Sequence, residues 1–151
     1  MEEQNKDRWV VDGQLALPYQ YFAGTVGSHF LTSLRDRKKI LGQRCPTCNK
    51  VFVPPRQTCE RCFANLADAW VELSDVGEVT GVTVINYQEK YLPLPPPYAL
   101  ALIKLGGADT PLTHVVAGVD PANVKVGMKV KAVFADERKG SLLDIKYFTP
   151  A

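Results

Sequence analysis

The stretch CPTCNKVFVPPRQTCERC, residues 45–62, holds all four cysteines of this 151-residue chain. They form two C-x2-C pairs separated by ten residues. Each C-x2-C turn presents two thiolates to one side, and zinc prefers four soft ligands in a tetrahedron. The ten residues between the pairs are enough for a short hairpin that returns the second pair to the first. The spacing therefore predicts a structural zinc site formed by Cys45, Cys48, Cys59 and Cys62.

Three other uses of these cysteines compete with a zinc site. Two disulfides are disfavoured because the start, MEEQNKDRW, is acidic and polar rather than a signal peptide, which predicts a cytoplasmic protein. A thioredoxin-like redox pair needs only one C-x2-C, so two in tandem fit a metal site better. A rubredoxin-type iron or iron–sulfur site shares the ligand set and stays open. A four-thiolate site has no open position, so no metal-based catalysis is expected.

The composition fits one ordinary domain or two small modules. Apolar residues make up 46% of the chain, and no run approaches the roughly 20 apolar residues of a membrane helix. The net charge of +2 is unevenly placed: residues 35–61 carry eight basic and two acidic side chains, and the rest of the chain carries ten and fourteen. These cations either neutralise the thiolates and the end of a helix, or they form a surface for a phosphate or an acidic partner.

An apolar stripe predicts an N-terminal helical arm. Phe22, Val26, Phe30 and Leu34 recur every four residues within a helix expected over about 18–39. Such an arm is too short to fold alone, so its stripe must bury against its own domain or against a partner protein. We assign residues 1–41 to this arm and take the four apolar residues as candidate partner contacts.

From about residue 70 the pattern changes to a period of two, which is typical of strands. Five strands in so short a stretch favour a small antiparallel barrel, with the OB-fold as the best match and an SH3-like barrel as the competitor. We therefore divide the remaining chain into a zinc ribbon, 42–75, and an OB-fold domain, 76–151. The predicted strands are 78–87, 98–105, 112–119, 129–136 and 142–148.

The sequence offers little for independent catalysis. It contains no P-loop, dinucleotide-binding, nucleophile-elbow or HExxH motif, and its two histidines, His29 and His114, fit packed or surface positions. A hydrolase acting alone is thus a minor alternative. A second alternative is a single-stranded nucleic-acid-binding OB-fold module, in which Tyr87, Tyr91 and Tyr98 would stack on bases. The barrel segment lacks the basic excess that this use requires.

The order of motifs resembles a known family. An R-C-x2-C at Arg44, then P-P-R-x2-C-x2-C from Pro54, then W-x-E-L-S from Trp70 and G-E-V from Gly77 follow one another. This arrangement is similar to small acyl-CoA-associated proteins that join a rubredoxin-like zinc ribbon to a C-terminal OB-fold, long catalogued as a domain of unknown function. The likeness covers nearly the whole chain from about residue 20.

The resemblance implies a non-catalytic scaffold subunit with structural Zn²⁺. Members bind thiolase-like enzymes, or related hydratases and lyases, and help to form a site for a CoA thioester shared with that partner. The partner supplies the catalytic cysteine and histidines, so a hetero-oligomer is expected. The segment 18–42 resembles that of members paired with thiolases in anaerobic aromatic degradation. The basic stretch would meet the CoA phosphates, with Lys38, Lys39 and Arg56 as candidates.

Overall fold

The computed structural model describes residues 9–13, 15, 17–90, 92 and 94–151. Residues 1–8 of the predicted arm, and Tyr91, lie outside the described residues. In the described part, no helix is both long enough and apolar enough to cross a membrane. The elements, in chain order, are α1 (Gly24–Arg37), β1 (Leu41–Arg44), β2 (Val51–Phe52), β3 (Trp70–Glu72), β4 (Val76–Ile85), β5 (Tyr98–Leu105), β6 (Leu112–Val116), β7 (Lys129–Phe134) and β8 (Ile145–Pro150), with 3₁₀ turns at Pro121–Asn123 and Leu142–Asp144.

The helix is shorter than the sequence pattern predicted. It begins at Gly24, whose φ of +76° is a left-handed conformation that prevents the preceding residues from continuing the helical path. It ends at Arg37 because Lys38 takes a left-handed φ of 54° and donates its N–H to the Ser33 carbonyl. Residues 18–23 are therefore outside the helix.

The helix packs against its own domain. Phe30 and Leu34 are buried and join one core with residues from the ribbon and the barrel. The helix contacts β1 and the 3₁₀ turn Leu142–Asp144, and Arg138 donates through Nε to the Arg35 carbonyl at 2.7 Å. The side chains of Phe30 and Leu34 lie in this core, and their contact with a partner stays a prediction.

A three-stranded antiparallel sheet, ordered β2-β1-β3, carries the first cysteine pair. Its central strand places the amide of Gln43 in the interior with no exposed surface. Gln43 donates to the Leu66 carbonyl at 2.7 Å and accepts from the Arg56 N–H at 2.8 Å. Since buried backbone groups need partners, this side chain ties the loop around the second cysteine pair to β1.

The five remaining strands form the predicted OB-fold barrel. The barrel is closed in the order β4-β5-β6-β8-β7, and β7 returns to β4. All pairings are antiparallel except the parallel contact of β6 with β8. The register shifts between Val79 and Gly81, so the long first strand has an irregularity near the glycine where the barrel curves.

The ribbon and the barrel are joined by hydrogen bonds to one barrel loop. Asp109 accepts from the Val51 N–H at 2.8 Å and donates its own N–H to the Val51 carbonyl at 2.9 Å. Thr110 Oγ1 accepts from the Val53 N–H at 2.8 Å and donates to the Val53 carbonyl at 2.9 Å. The loop between β5 and β6 thus acts as a short extra partner for β2.

His114 lies inside the barrel and is held in its neutral form. Its ring packs edge-on to Phe148 with centroids 5.5 Å apart, and Nδ1 accepts from the Val115 N–H at 2.9 Å. The proton therefore sits on Nε2, which donates to the Leu142 carbonyl at 3.4 Å. Burial lowers the pKa of His114 below its ordinary value, because the barrel interior disfavours the charged ring.

This burial predicts a loss of stability in acid. As the pH falls, His114 of the unfolded chain takes up a proton near pH 6.5, whereas His114 of the folded chain takes it up only at a lower pH. The stability that depends on a neutral His114 is therefore fully present above about pH 6.5 and is lost below it. We expect the unfolding free energy of the wild type to fall more than that of His114→Gln, by up to about 1.4 kcal/mol per pH unit below about pH 6.5. Denaturant titrations at several pH values measure the difference. Equal slopes for His114→Gln and the wild type would contradict the prediction.

Candidate metal centre and its surroundings

Two loops of the same shape present the four cysteines. The N–H of Cys45 donates to the Lys50 carbonyl and its own carbonyl accepts from Asn49, at 2.8 and 2.9 Å. Cys59 repeats the pattern with Ala64 and Phe63, at 2.9 and 3.0 Å. The residue after each second cysteine, Asn49 or Phe63, has a left-handed φ of 58° or 59°. Each loop therefore turns both of its thiols inward.

The sulfur atoms have the spacing of a metal site. All four lie within 4.8 Å of one another, with Cys45 Sγ 3.4 Å from Cys62 Sγ and Cys48 Sγ 3.6 Å from Cys59 Sγ. A disulfide needs about 2.05 Å between sulfurs, whereas a tetrahedron with Zn–S bonds of about 2.3 Å separates them by about 3.8 Å. The four cysteines are thus positioned to bind one metal ion, as the spacing predicted.

The protein favours thiolates at two of these positions. The Cys48 N–H points at Cys45 Sγ at 3.5 Å, and the Arg61 N–H points at Cys59 Sγ at 3.4 Å. Burial disfavours ionisation of Cys45, but the N–H groups of Cys48 and Thr47, together with the thiols of Cys62 and Cys48, outweigh it and lower its pKa to about 6. In Cys48 the Lys50 N–H lowers the pKa, but burial and the neighbouring thiols raise it to about 11. A cation is what allows all four to ionise together.

The cations of the ribbon are partly neutralised by one acid. Glu60 accepts from Lys50 and from Arg56, both at 2.6 Å, and Lys50 and Arg56 hold its pKa below the ordinary value. The Arg56 guanidinium also lies over the Phe52 ring, 4.5 Å from its centroid. Arg56 therefore has structural contacts of its own in the ribbon.

Lys38 and Lys39 lie elsewhere, at the end of the helix. Together with Ser74 and Asp75 they line a groove of about 240 Å³. Lys39 pairs with Glu72 at 2.5 Å on β3. Both lysines are exposed to solvent.

A neighbouring groove was missed by sequence reasoning. It measures about 500 Å³, and its lining includes Ser74, Lys104 and Lys129. Lys104 on β5 and Lys129 on β7 lie on either side of Glu78 on β4. Lys129 forms an ion pair with Glu78 at 2.6 Å. Both grooves include Ser74, so the lysines of the helix end and of the barrel border one surface. Only the register of three strands brings these residues together, so no local sequence signal marks them.

The candidate partner contacts divide between core and surface. Phe22 is 79% exposed and Val26 is half-buried, whereas Phe30 and Leu34 belong to the core. A larger exposed apolar segment lies just before the helix. Its large apolar side chains are Trp9, Val10, Val11, Leu15, Leu17, Tyr19, Tyr21 and Phe22.

Comparison with known proteins matches both modules. The family models of the ChsH2 rubredoxin-like zinc ribbon and of the ChsH2 C-terminal OB-fold match residues 32–67 and 70–135. A DUF35 domain-containing scaffold protein from Methanocaldococcus jannaschii is 30% identical over 101 residues, which cover 67% of this chain and 71% of that protein.

Two solved structures share the architecture. A DUF35-family protein of unknown function from Sulfolobus solfataricus is 33% identical, with a TM-score of 0.59 over 73% of this chain and 78% of that one. The Ltp2-ChsH2(DUF35) aldolase is 22% identical, with a TM-score of 0.60 over 82% of this chain and 93% of that one, and shows likeness of fold alone. With both family models matched in order, this chain belongs to the DUF35 family and carries its ChsH2-type zinc ribbon and OB-fold.

Proposed function

We propose that this chain is a non-catalytic, zinc-stabilised accessory subunit of a thiolase-type complex that acts on CoA thioesters. The reaction we propose is thiolytic cleavage of a β-ketoacyl-CoA, in anaerobic aromatic degradation, with the nucleophile on the partner. The observation that carries the proposal is the gathering of all four cysteines into one closed cluster. Four thiolates leave the metal no open position, so the cluster supports structure rather than chemistry.

The remaining reactive groups support the same conclusion. Both ring nitrogens of His114 are engaged by backbone groups inside the barrel. His29 packs on Trp70, with ring centroids 4.6 Å apart, on the helix surface. Neither histidine is placed beside a thiol that is free of the cluster. The relatives named as a scaffold protein and as part of an aldolase complex fit an accessory role.

Nucleic-acid binding is disfavoured by the barrel surface. The usual ligand face of an OB-fold crosses its second and third strands, which are β5 and β6 here. That face has an apolar groove of about 280 Å³ formed by β4, β5 and β6, with Leu100 and Leu102 in its lining. Of the three tyrosines predicted to stack on bases, the structure describes Tyr87 and Tyr98. Tyr98 is buried and cannot stack on a base, whereas Tyr87 is exposed.

For the CoA phosphates we propose Lys38, Lys39 and Arg56 as contacts. The two lysines are the stronger part of this proposal, because they line a groove that shares Ser74 with the groove of Lys104. A phosphate group would compete with Glu72 for Lys39 and would find Lys38 on the same rim. Arg56 would have to leave Glu60 to make the same contact.

Co-purification of the tagged full chain from its native host tests the proposed function. We expect a thiolase-type catalytic chain to co-elute, and thiolysis to require both chains. Turnover of acyl-CoA by the accessory chain alone, lost in His29→Ala or His114→Ala, would instead establish a hydrolase. Steeply salt-dependent binding of a single-stranded oligonucleotide would favour the nucleic-acid alternative.

The lysine contacts are tested separately on the assembled complex. Lys38→Gln with Lys39→Gln is expected to raise the KM for CoA about tenfold with little change in kcat, because distant phosphate contacts contribute uniform binding. Lys125→Gln with Lys146→Gln is the matched control, since both lysines are exposed elsewhere on the barrel. An unchanged KM in the first variant would remove these two lysines from the CoA site.

A further inference from the structure

The segment before the helix, which we call the strap (residues 9–22), exposes a regular apolar pattern. Its sequence is WVVDGQLALPYQYF, and Asp12 is its one charged residue. Every odd position from 9 to 21 is apolar, aromatic or glycine, whereas the even positions mix the polar residues Asp12, Gln14 and Gln20 with Val10, Ala16, Pro18 and Phe22. A period of two places alternate side chains on one face of an extended chain. The strap is therefore patterned as a strand with one apolar face.

The structure leaves this face uncovered. The odd-position side chains described in it are between 70% and 92% exposed, namely Trp9, Val11, Leu15, Leu17, Tyr19 and Tyr21. None of the described strap residues lies in a strand. Monomeric proteins rarely expose a continuous apolar patch above about 300–600 Å².

The exposed area is that of a protein interface. An aromatic side chain carries about 150–250 Å², so the three aromatics of the odd face, Trp9, Tyr19 and Tyr21, offer on the order of 400–600 Å². A stable complex of standard size buries about 800 Å² on each partner. The valines and leucines of the strap supply the remainder, so a single bound strap accounts for one side of such an interface.

Within the described residues, no free strand edge is as long as the strap. The barrel is closed, and the outer strands of the ribbon sheet, β2 and β3, have two and three residues. The odd face of the strap spans about 40 Å when extended. The strap also precedes residue 32, where the match to the zinc-ribbon model begins.

We propose that the strap binds the catalytic subunit of the complex as an added, extended strand, with its odd-numbered side chains buried in that subunit. This rests on the proposed function, since the partner is the thiolase-type chain. Strand addition uses main-chain hydrogen bonds for affinity and alternate side-chain pockets for specificity. Pro18 has no N–H to donate, but it lies at an even position, so the edge formed by the odd residues stays complete.

Two neighbouring valines provide a matched test. Val10 and Val11 are 78% and 79% exposed, yet they fall on opposite faces of the proposed strand. We compare Val11→Ser with Tyr19→Ser against Val10→Ser with Gln20→Ser in the full chain. Since none of these side chains lies in the core, both variants should keep the wild-type thermal unfolding.

The catalytic subunit that co-elutes with the full chain is purified and titrated with each variant. We expect the odd-face variant to bind at least about thirtyfold more weakly and the even-face variant to remain near the wild type. Hydrogen exchange over residues 9–22 should slow in the wild-type complex.

Each unfavourable outcome of this experiment overturns a different part of the two proposals. A bound catalytic subunit that is indifferent to the odd-face variant would overturn the strap proposal and leave the proposed function standing. Equal losses in both variants would overturn the strand-like pattern. A dimer of the chain alone that dissociates in the odd-face variant would assign the strap to a second copy. Absence of any thiolase-type partner would overturn both proposals.

Discussion

The Cys45→Ser variant is expected to lose the metal ion and to unfold the zinc ribbon. Cys45 is fully buried at the end of β1 and lies 3.4 Å from Cys62 Sγ. A serine oxygen is a poor substitute for a soft thiolate, and the binding free energy of a structural zinc ion is folding free energy. We expect the metal content to fall to below about a tenth of the wild-type value. Elemental analysis of the purified protein measures this directly.

The loss should spread beyond the ribbon. The small cluster around the cysteines contains Phe52 and Leu66, and the neighbouring residues Val51 and Val53 belong to the main core shared with the barrel. Hydrogen exchange should therefore rise across β1 and β2 first and then in the β5–β6 loop, which bonds to β2. Thr47→Ser, an exposed change between two ligands, is the matched control. Wild-type metal content in Cys45→Ser would show that the four thiols are not a single site.

The Leu34→Ala variant is expected to destabilise the isolated chain by about 2–5 kcal/mol, as a leucine-to-alanine cavity in a core does. Leu34 has no exposed surface and packs in the core that joins the helix to the barrel. Because a domain of this kind has a total stability of about 5–15 kcal/mol, the loss is a large fraction of it. Chemical denaturation of the metal-loaded chain measures the change.

Phe22→Ala is the control for this experiment, because Phe22 is 79% exposed and lies before the helix. Its unfolding free energy should stay within about 0.5 kcal/mol of the wild type. If Leu34→Ala were equally silent, the helix would not be fixed on the core in solution. The helical stripe would then be free to bind a partner, as the sequence pattern first suggested.

The sequence predicted the features that depend on local pattern. The tandem C-x2-C pairs predicted the four-sulfur cluster, because two turns of fixed geometry bring their thiols together wherever the connecting segment allows it. Period-two alternation predicted the barrel strands, and β5 matches its expected bounds of 98–105. The expected helix failed at its start, where Gly24 takes a left-handed conformation. The spacing of apolar residues carries no information about the backbone conformation of a glycine.

The outcome for the apolar residues shows why periodicity is insufficient for assigning an interface. Phe22, Val26, Phe30 and Leu34 share one spacing, but the structure buries the last two and exposes the first. Periodicity reports that a face is apolar and not what covers it. The lysines around Ser74 could not be predicted from a local pattern either, because they come from the helix end and from β5 and β7.

The sequence by itself determined which four cysteines come together and the order of ribbon and barrel. These follow from residue type and short-range spacing, which the chain fixes before it folds. Only the tertiary structure decided which apolar residues form the core, which lysines share a surface, and that the described odd-numbered side chains of the strap stay exposed. Those properties depend on contacts between residues far apart in the chain, and burial is settled by the whole packing arrangement rather than by any one segment.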